Sequence, residues 1–182
     1  MDIFEIIPNH LYSIKYDEEK STEYCRLFND EWTDVNYLVT FFRSYPEFTE
    51  NEFWGFLGNK PEKAASRVLK DAYLLERELK ERADNSDNED FPDLDDFFKP
   101  LRGKYGYSIK NMPVKGYGVM DSTFLRLYAI RLDKNCYLLV YGGIKLNDKI
   151  QNSPILRDNV FQKMDMVRSY LVEEGILDID DI

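Results

Sequence analysis

Apolar residues keep two different spacings in the first half of the chain, and these spacings predict its elements. Residues Leu11–Tyr16 alternate large side chains with small or charged ones, which is typical of a strand. From Glu23 to about Ser44, apolar residues recur every three or four positions and therefore share one helical face. The same spacing returns after Pro61, a residue favoured at the first position of a helix. A strand followed by two helices is therefore predicted.

The second half changes character, because Gly, Tyr and β-branched residues become frequent and helical spacing disappears. Tyr105–Lys110 is predicted to be a strand, and the Gly-rich run Val114–Val119 is either a strand or a bent hairpin arm. Phe124–Arg131 is predicted to pair with Cys136–Tyr141 through a turn at Asp133–Asn135. These two arms form the hairpin on which most of the functional argument rests.

Alternation along the first arm assigns its side chains to the two faces of the sheet. One face carries Arg126, Tyr128 and Ile130, and the other carries Leu125, Leu127, Ala129 and Arg131. The second arm is almost entirely apolar, which indicates a central strand. The pair Gly142-Gly143 then allows a bulge or a close approach, and a last helix is expected from about Asn159 to Glu174.

The length of 182 residues fits one domain, and we expect an α+β fold. In this fold an N-terminal strand and helices, residues 1–83, pack on an antiparallel β-meander, residues 99–150. An acidic connector at residues 84–98 joins them, and a C-terminal helix and tail occupy residues 151–182.

The formal charge of −10 would ordinarily argue against a nucleic-acid partner, because it repels a polyanion. The charge is uneven, however: residues 99–149 hold ten Lys and Arg against three Asp and Glu. This basic segment favours an anionic ligand, whereas the alternative is that Lys at strand edges only limits aggregation. The acidic connector either shields the basic segment or is a plain solvated loop.

Several other chemistries lack the residues they require. Cys25 and Cys136 stand in apolar patterns without metal-ligand spacing, so we expect reduced core thiols. The acidic N-terminal stretch and the lack of a long apolar run favour a cytoplasmic protein without a membrane span. Phosphate-loop, zinc-protease and serine-hydrolase motifs are absent from the sequence. The acids of the connector lack the Gly and Glu of a calcium loop, so no metal and no cofactor are expected.

The order of the predicted elements resembles that of the RelE/ParE toxin superfamily, in particular its phage-type, HigB-like branch. The resemblance is carried by Leu125-Arg126-Leu127-Tyr128, which leads through the hairpin to the run Leu138–Lys145. Lys149 and then Ser153-Pro154 follow before a helix. In that family, an arginine on the central strand likewise precedes an apolar strand, a Gly-containing turn with a lysine, and a proline at a helix entry.

The resemblance implies a metal-independent endoribonuclease that cleaves messenger RNA, free or on the ribosome, and that a cognate antitoxin protein silences. Arg126, Lys145 and Arg131 are the catalytic candidates, because cations offset the charge that the phosphate gains in the transition state. The RNA-binding candidates are Lys149, Tyr128, Tyr141, Lys110 and Lys115.

The sequence leaves open both the role of the tyrosines and the function itself. A tyrosine in a β-rich segment more often packs its ring in the core, and this applies to each tyrosine candidate. The single histidine, His10, is far from the hairpin in sequence and is expected to be structural rather than an acid–base catalyst. The competing function is a non-catalytic protein-interaction module that keeps the same fold, a reading that the overall acidity favours.

Overall fold

A six-stranded sheet forms the centre of the described part of the molecule. The computed structural model describes residues 1–45, 52–55, 57, 60–86, 88, 90–101, 111–120, 123–147 and 152–182. The strands are β1 Asp2–Ile7, β2 Leu11–Lys15, β3 Lys99–Pro100, β4 Met112–Tyr117, β5 Leu125–Asp133 and β6 Cys136–Ile144. They lie in the order β1-β2-β6-β5-β4-β3, and all neighbours are antiparallel except the parallel pair β2–β6. The predicted α+β class is confirmed.

Helices cover both faces of this sheet. They are α1 Glu23–Cys25, α2 Val35–Ser44, α3 Glu52–Gly55, α4 Pro61–Asp84, α5 Leu94–Phe97 and α6 Pro154–Glu173. A π-helical turn, Arg26–Glu31, follows α1, and a 3-10 turn, Ile179–Asp181, ends the chain. Helices α2 and α4 belong to the core on one face, and α6 belongs to the core on the other. The C-terminal helix is confirmed, although it begins five residues before its predicted start.

The helix predicted from Glu23 to Ser44 is interrupted, which corrects the sequence interpretation. The Asp34 side chain accepts the backbone N–H groups of Asn36 and Tyr37 and thereby caps a new helix, α2. Just before it, the Thr33 hydroxyl donates to the carbonyl of Phe28. Capping by an aspartate satisfies donors that open a helix, so a break in this position is stable. The apolar spacing continues across the break, which is why spacing alone indicated one helix.

The hairpin is confirmed, and its alternation separates the two cores as predicted. Leu125, Leu127 and Ala129 lie in the core that includes α4, whereas Tyr128 and Ile130 lie in the core that includes α6. The whole of β6 is buried between β2 and β5, as expected of a central strand.

Three further expectations have different outcomes. The Gly-rich run belongs largely to the strand β4. The sequence pattern did not predict the N-terminal strand β1. The strand predicted for Tyr105–Lys110 lies outside the described residues. Both cysteines are free thiols, as predicted, and burial raises the pKa of Cys136 to about 12.

The acidic connector is not a plain loop in its described residues. Asp93 caps the short helix α5, and the Asp93 carboxylate also accepts a hydrogen bond from the Asn135 side chain at 2.7 Å. The Asp95 carboxylate accepts the backbone N–H of Asn135 at 3.0 Å. The end of the connector therefore holds the turn between β5 and β6.

Beyond the end of β2, side chains supply the hydrogen bonds that a neighbouring strand would otherwise make with the backbone of β6. Strand β2 pairs with β6 only as far as Leu139, so later backbone groups need other partners. The Tyr16 hydroxyl donates to the Val140 carbonyl at 2.8 Å. The Gly142 N–H donates to the Glu23 carboxylate at 2.8 Å, and Arg26 donates to the Gly142 carbonyl at 3.0 Å.

Gly142 is required at this point because the neighbouring elements approach closely. A Cβ atom there would come within 2.3 Å of the Leu27 side chain, so the close approach expected at the glycine pair is confirmed. Glu23 is buried and pairs with Arg26, whose other carboxylate partner is Glu31 at 2.6 Å. Burial alone would lower the pKa of Arg26, but the two carboxylates outweigh it and raise that pKa.

We expect Glu23→Ala to lower the free energy of unfolding by about 3 kcal/mol, because it removes the main partner of a buried cation and leaves the Gly142 N–H unpaired. The control is Glu81→Ala, which breaks an exposed pair with Arg77 on α4 and should cost less than about 1 kcal/mol. Urea unfolding followed by circular dichroism measures both. Equal losses in the two variants would contradict the structural role of Glu23.

Candidate anion-binding site

Four predicted site residues lie in two adjacent rows of cross-strand neighbours. The rows are Tyr117–Arg126–Gly143 and Lys115–Tyr128–Tyr141, running from β4 across β5 to β6. Cross-strand partners project from the same face of a sheet, and here it is the face that α6 partly covers. We call the five side chains Lys115, Tyr117, Arg126, Tyr128 and Tyr141 the Arg126 face. The structure thus brings together Arg126, Tyr128, Tyr141 and Lys115.

Arg131 is not part of this face, which corrects its grouping with Arg126. It stands five positions further along β5 on the opposite face, roughly 17 Å away at the usual rise of a strand. Its guanidinium pairs with the Asp95 carboxylate at 2.6 Å and donates to the Asp133 carbonyl at 3.2 Å. Asp95 also accepts the hydroxyl of Tyr137. The Arg131 charge is therefore compensated within the protein and stabilises the hairpin turn.

The three remaining lysine candidates have separate outcomes. Lys145 directly follows β6 at the end of the hairpin where Arg126 lies, and its backbone N–H donates to the Phe124 carbonyl at 2.7 Å. Its side chain is half-buried. Lys110 and Lys149 lie outside the described residues.

Arg126 is a buried cation without a carboxylate partner among the described residues. It is 8% exposed, and its Nη1 donates to the backbone carbonyls of Thr123 at 3.1 Å and Leu125 at 2.6 Å. The guanidinium lies 4.5 Å from the centre of the Tyr117 ring, within the range of a cation–π contact. Burial lowers the pKa of Arg126, although an arginine remains charged at neutral pH. Its positive charge is thus available to a ligand.

Two buried phenols beside Arg126 also keep unused hydrogen-bonding groups. Tyr128 and Tyr141 are directly opposite each other on β5 and β6, and they are 2% and 5% exposed. Neither hydroxyl forms a hydrogen bond with another described residue. Burial raises the pKa of both tyrosines, so both hydroxyls stay protonated and can donate. A cation and two phenol donors on one face suit an acceptor-rich anion as ligand.

A buried aspartate on α4 holds the loop from which Arg126 emerges. Asp71 accepts the backbone N–H groups of Val119 at 3.0 Å and Met120 at 3.1 Å, and it also accepts the hydroxyl of Thr123. The carbonyl of Thr123 is in turn an acceptor for Arg126. Asp71 therefore positions Arg126 through the loop without touching the ligand surface.

Sequence reasoning missed both Asp71 and Tyr117. Asp71 stands on the buried stripe of α4, between Val68 and Leu75, where the pattern otherwise contains apolar residues. A carboxylate at such a position needs specific partners, and this was a usable signal. Tyr117 gave no comparable signal, because its importance comes only from its cross-strand position opposite Arg126.

Acidic residues lie near α6 on one side of the Arg126 face. Lys163 on α6 lies 5.4 Å from the centre of the Tyr141 ring and 3.9 Å from that of Tyr16. Burial lowers the pKa of Lys163. A pocket of about 390 Å³ beside Tyr16 is also lined by Asp17, Glu18 and Glu19. These acids would repel an anion, so an anion bound on the Arg126 face would lie away from the Tyr16 pocket.

Comparison with known proteins found no matching family model, no matching curated protein and no matching solved structure. Among the described residues, no helix combines the length and apolar character needed to cross a membrane. In the same part of the chain, no three His, Cys, Asp or Glu side chains group in a way that could hold a metal ion.

We expect Arg126→Met to leave the free energy of unfolding within about 1 kcal/mol of the wild-type value, because it removes a desolvated charge and keeps most of the side-chain volume. The matched control is Arg26→Met. That change should cost about 3 kcal/mol or more, because it leaves Glu23 and Glu31 without their cation. Urea unfolding measures both variants. Similar large losses would show that the protein itself compensates the Arg126 charge.

Proposed function

We propose that this chain is a toxin-like protein of the RelE/ParE type that acts on RNA, with the Arg126 face binding the phosphodiester. The observation that carries the proposal is the grouping on this face of the Arg126 guanidinium, which has no carboxylate partner among the described residues, with the hydroxyls of Tyr128 and Tyr141. Charge-assisted bonds from a guanidinium are well suited to phosphate oxygens. Lys115, opposite Tyr128, adds a second positive charge.

The reaction that fits these groups is transesterification within the RNA. The 2′-oxygen forms a bond to the neighbouring phosphorus and the bond to the 5′-oxygen breaks, giving a 2′,3′-cyclic phosphate and a 5′-hydroxyl. The proton of the attacking hydroxyl passes to water, and a tyrosine hydroxyl or water protonates the leaving oxygen. Arg126 offsets the charge that builds on the phosphate oxygens, and one such group typically contributes about 10²–10³ in rate.

Histidine takes no part in this proposal. The ring of His10 lies at the β5–β6 turn, where Nδ1 is 3.1 Å from the Asn135 carbonyl and Nε2 is 3.2 Å from the Ser86 hydroxyl. The carbonyl can only accept, so Nδ1 carries the proton and Nε2 accepts from Ser86. Both ring nitrogens are thus used at the opposite end of the hairpin from Arg126.

In this proposal the cellular partners are messenger RNA, free or on the ribosome, and an antitoxin protein. An antitoxin that covers the Arg126 face with acidic side chains would compensate the same charge that RNA compensates. Binding of the antitoxin and of RNA should therefore be mutually exclusive.

A non-catalytic protein-interaction module is the second candidate. It is favoured by the deep burial of Tyr128 and Tyr141 and by the pairing of Arg131 with Asp95. In that case an acidic side chain of a partner protein, rather than a phosphate, would reach Arg126.

Induced expression separates the two candidates. We expect the wild-type chain to arrest growth and to cleave messenger RNA in a translating extract, and Arg126→Met to reduce the cleavage rate by about 10²–10³. The control is Arg77→Met, which replaces an exposed arginine of α4 and should retain full activity. A wild-type chain that is harmless and cleaves no RNA would exclude the toxin and favour the module.

The double variant Tyr128→Phe with Tyr141→Phe tests the hydroxyls separately from the rings. We expect the fold to remain, because both rings stay in place and neither hydroxyl bonds to a described residue. Cleavage should fall by about 10² if the two hydroxyls are donors to the phosphate. Unchanged cleavage at unchanged stability would leave Tyr128 and Tyr141 as core residues only.

A further inference from the structure

A pocket of about 280 Å³ lies beside the end of β4, where Tyr117, Gly118 and Val119 line it. Its main walls are Glu78 and Arg82 of α4, Asp96 and Phe97 of α5, and Tyr117 itself. Tyr117 is 38% exposed and also carries the Arg126 guanidinium against its ring. Tyr117 therefore lines the pocket and also contacts the guanidinium at the proposed phosphate position.

The polar groups of the pocket are held in place by neighbouring residues. The Arg82 Nε donates to Glu78 at 2.6 Å, and its Nη1 donates to the Asp93 carbonyl at 3.1 Å. The Arg82 guanidinium also lies 5.8 Å from the centre of the Phe97 ring. Asp96 accepts the Asp93 N–H at 3.3 Å through one oxygen, and its side chain is exposed. An anchored guanidinium and an accepting carboxylate thus face the same space.

These groups select a particular kind of ligand. Two carboxylates against one guanidinium disfavour a phosphate inside the pocket and favour a neutral group that brings donors. The rings of Phe97 and Tyr117 favour a planar group. Guanine has adjacent N1–H and N2–H donors that suit a carboxylate, and its O6 and N7 accept from an arginine. Uracil offers one N–H between two carbonyl oxygens, which a carboxylate repels.

We propose that this pocket binds the guanine base of the nucleotide whose phosphate lies on the Arg126 face. Asp96 accepts from the N1 and N2 edge of the base, Arg82 donates to O6 or N7, and the rings of Phe97 and Tyr117 border its plane. The proposal rests on the proposed RNA-directed function and adds base preference to it. Guanine is thereby preferred over uracil at the position next to the bound phosphate.

Calorimetric titration of the full chain tests this proposal. The ligands are guanosine and uridine monophosphates, each as the 3′ and the 5′ isomer, and inorganic phosphate. We expect the better guanosine isomer to bind about tenfold or more tightly than either uridine isomer, because a good bidentate contact discriminates at this level. Inorganic phosphate should bind weakly, and Arg126→Met should abolish all binding.

Asp96→Asn is the informative variant, because the asparagine oxygen still accepts the Asp93 N–H while the charge is lost. It should bring guanosine and uridine monophosphates to similar affinity without changing the affinity for phosphate. The control is Asp90→Asn, an exposed acid of the same segment outside the pocket, which should keep the preference. Circular dichroism melting confirms that each variant is folded.

The remaining outcomes overturn the proposal in distinguishable ways. Equal binding of guanosine and uridine monophosphates by the wild-type chain, or a preference that Asp96→Asn leaves intact, overturns the guanine pocket and keeps the phosphate site. If Asp90→Asn loses the preference for guanosine as Asp96→Asn does, the preference depends on the overall charge, and the guanine pocket is also overturned. No binding of phosphate or of any nucleotide by the wild-type chain overturns both the pocket and the proposed function.

Discussion

Strand β6 is buried on both faces, so each of its backbone N–H and C=O groups needs a partner inside the protein. Strand β5 pairs with β6 on one side from Cys136 to Ile144, with two register shifts, but β2 pairs with it on the other side only as far as Leu139. Tyr16, Glu23 and Arg26 complete the open edge. This requirement explains why the segment after β2 folds back over the sheet and why charged side chains are buried there.

Two arginines beside this sheet, the half-buried Arg26 and the buried Arg126, differ in how their charge is compensated. Arg26 has two carboxylates and a backbone carbonyl as partners, so its burial stabilises the fold. Arg126 has two backbone carbonyls and the Tyr117 ring, and its charge has no described counter-ion. A protein gains little stability from a cation of the second kind, and for this reason we propose a functional role for Arg126. Asp71 holds Thr123, and the Thr123 carbonyl holds the Arg126 guanidinium, so neither residue places a carboxylate in direct contact with the Arg126 charge.

Sequence patterns predicted those parts of the fold that depend on one element at a time. Alternation assigned Arg126 and Tyr128 to one face and Arg131 to the other, and the apolar run identified β6 as central. Parts that depend on two distant elements were not predicted. The pairing of Arg131 with Asp95 joins residues 36 positions apart, and the contact of Asp71 with the loop before Arg126 joins residues about 50 apart. Local spacing contains no information on such contacts, whereas the break at Asp34 was locally visible as a capping residue.

The central claim is that the Arg126 guanidinium binds a phosphate oxygen, and the most direct measurement observes this group itself. Nuclear magnetic resonance of the arginine Nε–H groups during titration with inorganic phosphate provides it, with the exposed Arg77 as an internal reference. If Arg126 binds phosphate, its signal shows a saturable shift that the Arg77 signal does not share. An Arg126 signal that stays unchanged, or that moves only as much as the Arg77 signal, would exclude a phosphate site at Arg126.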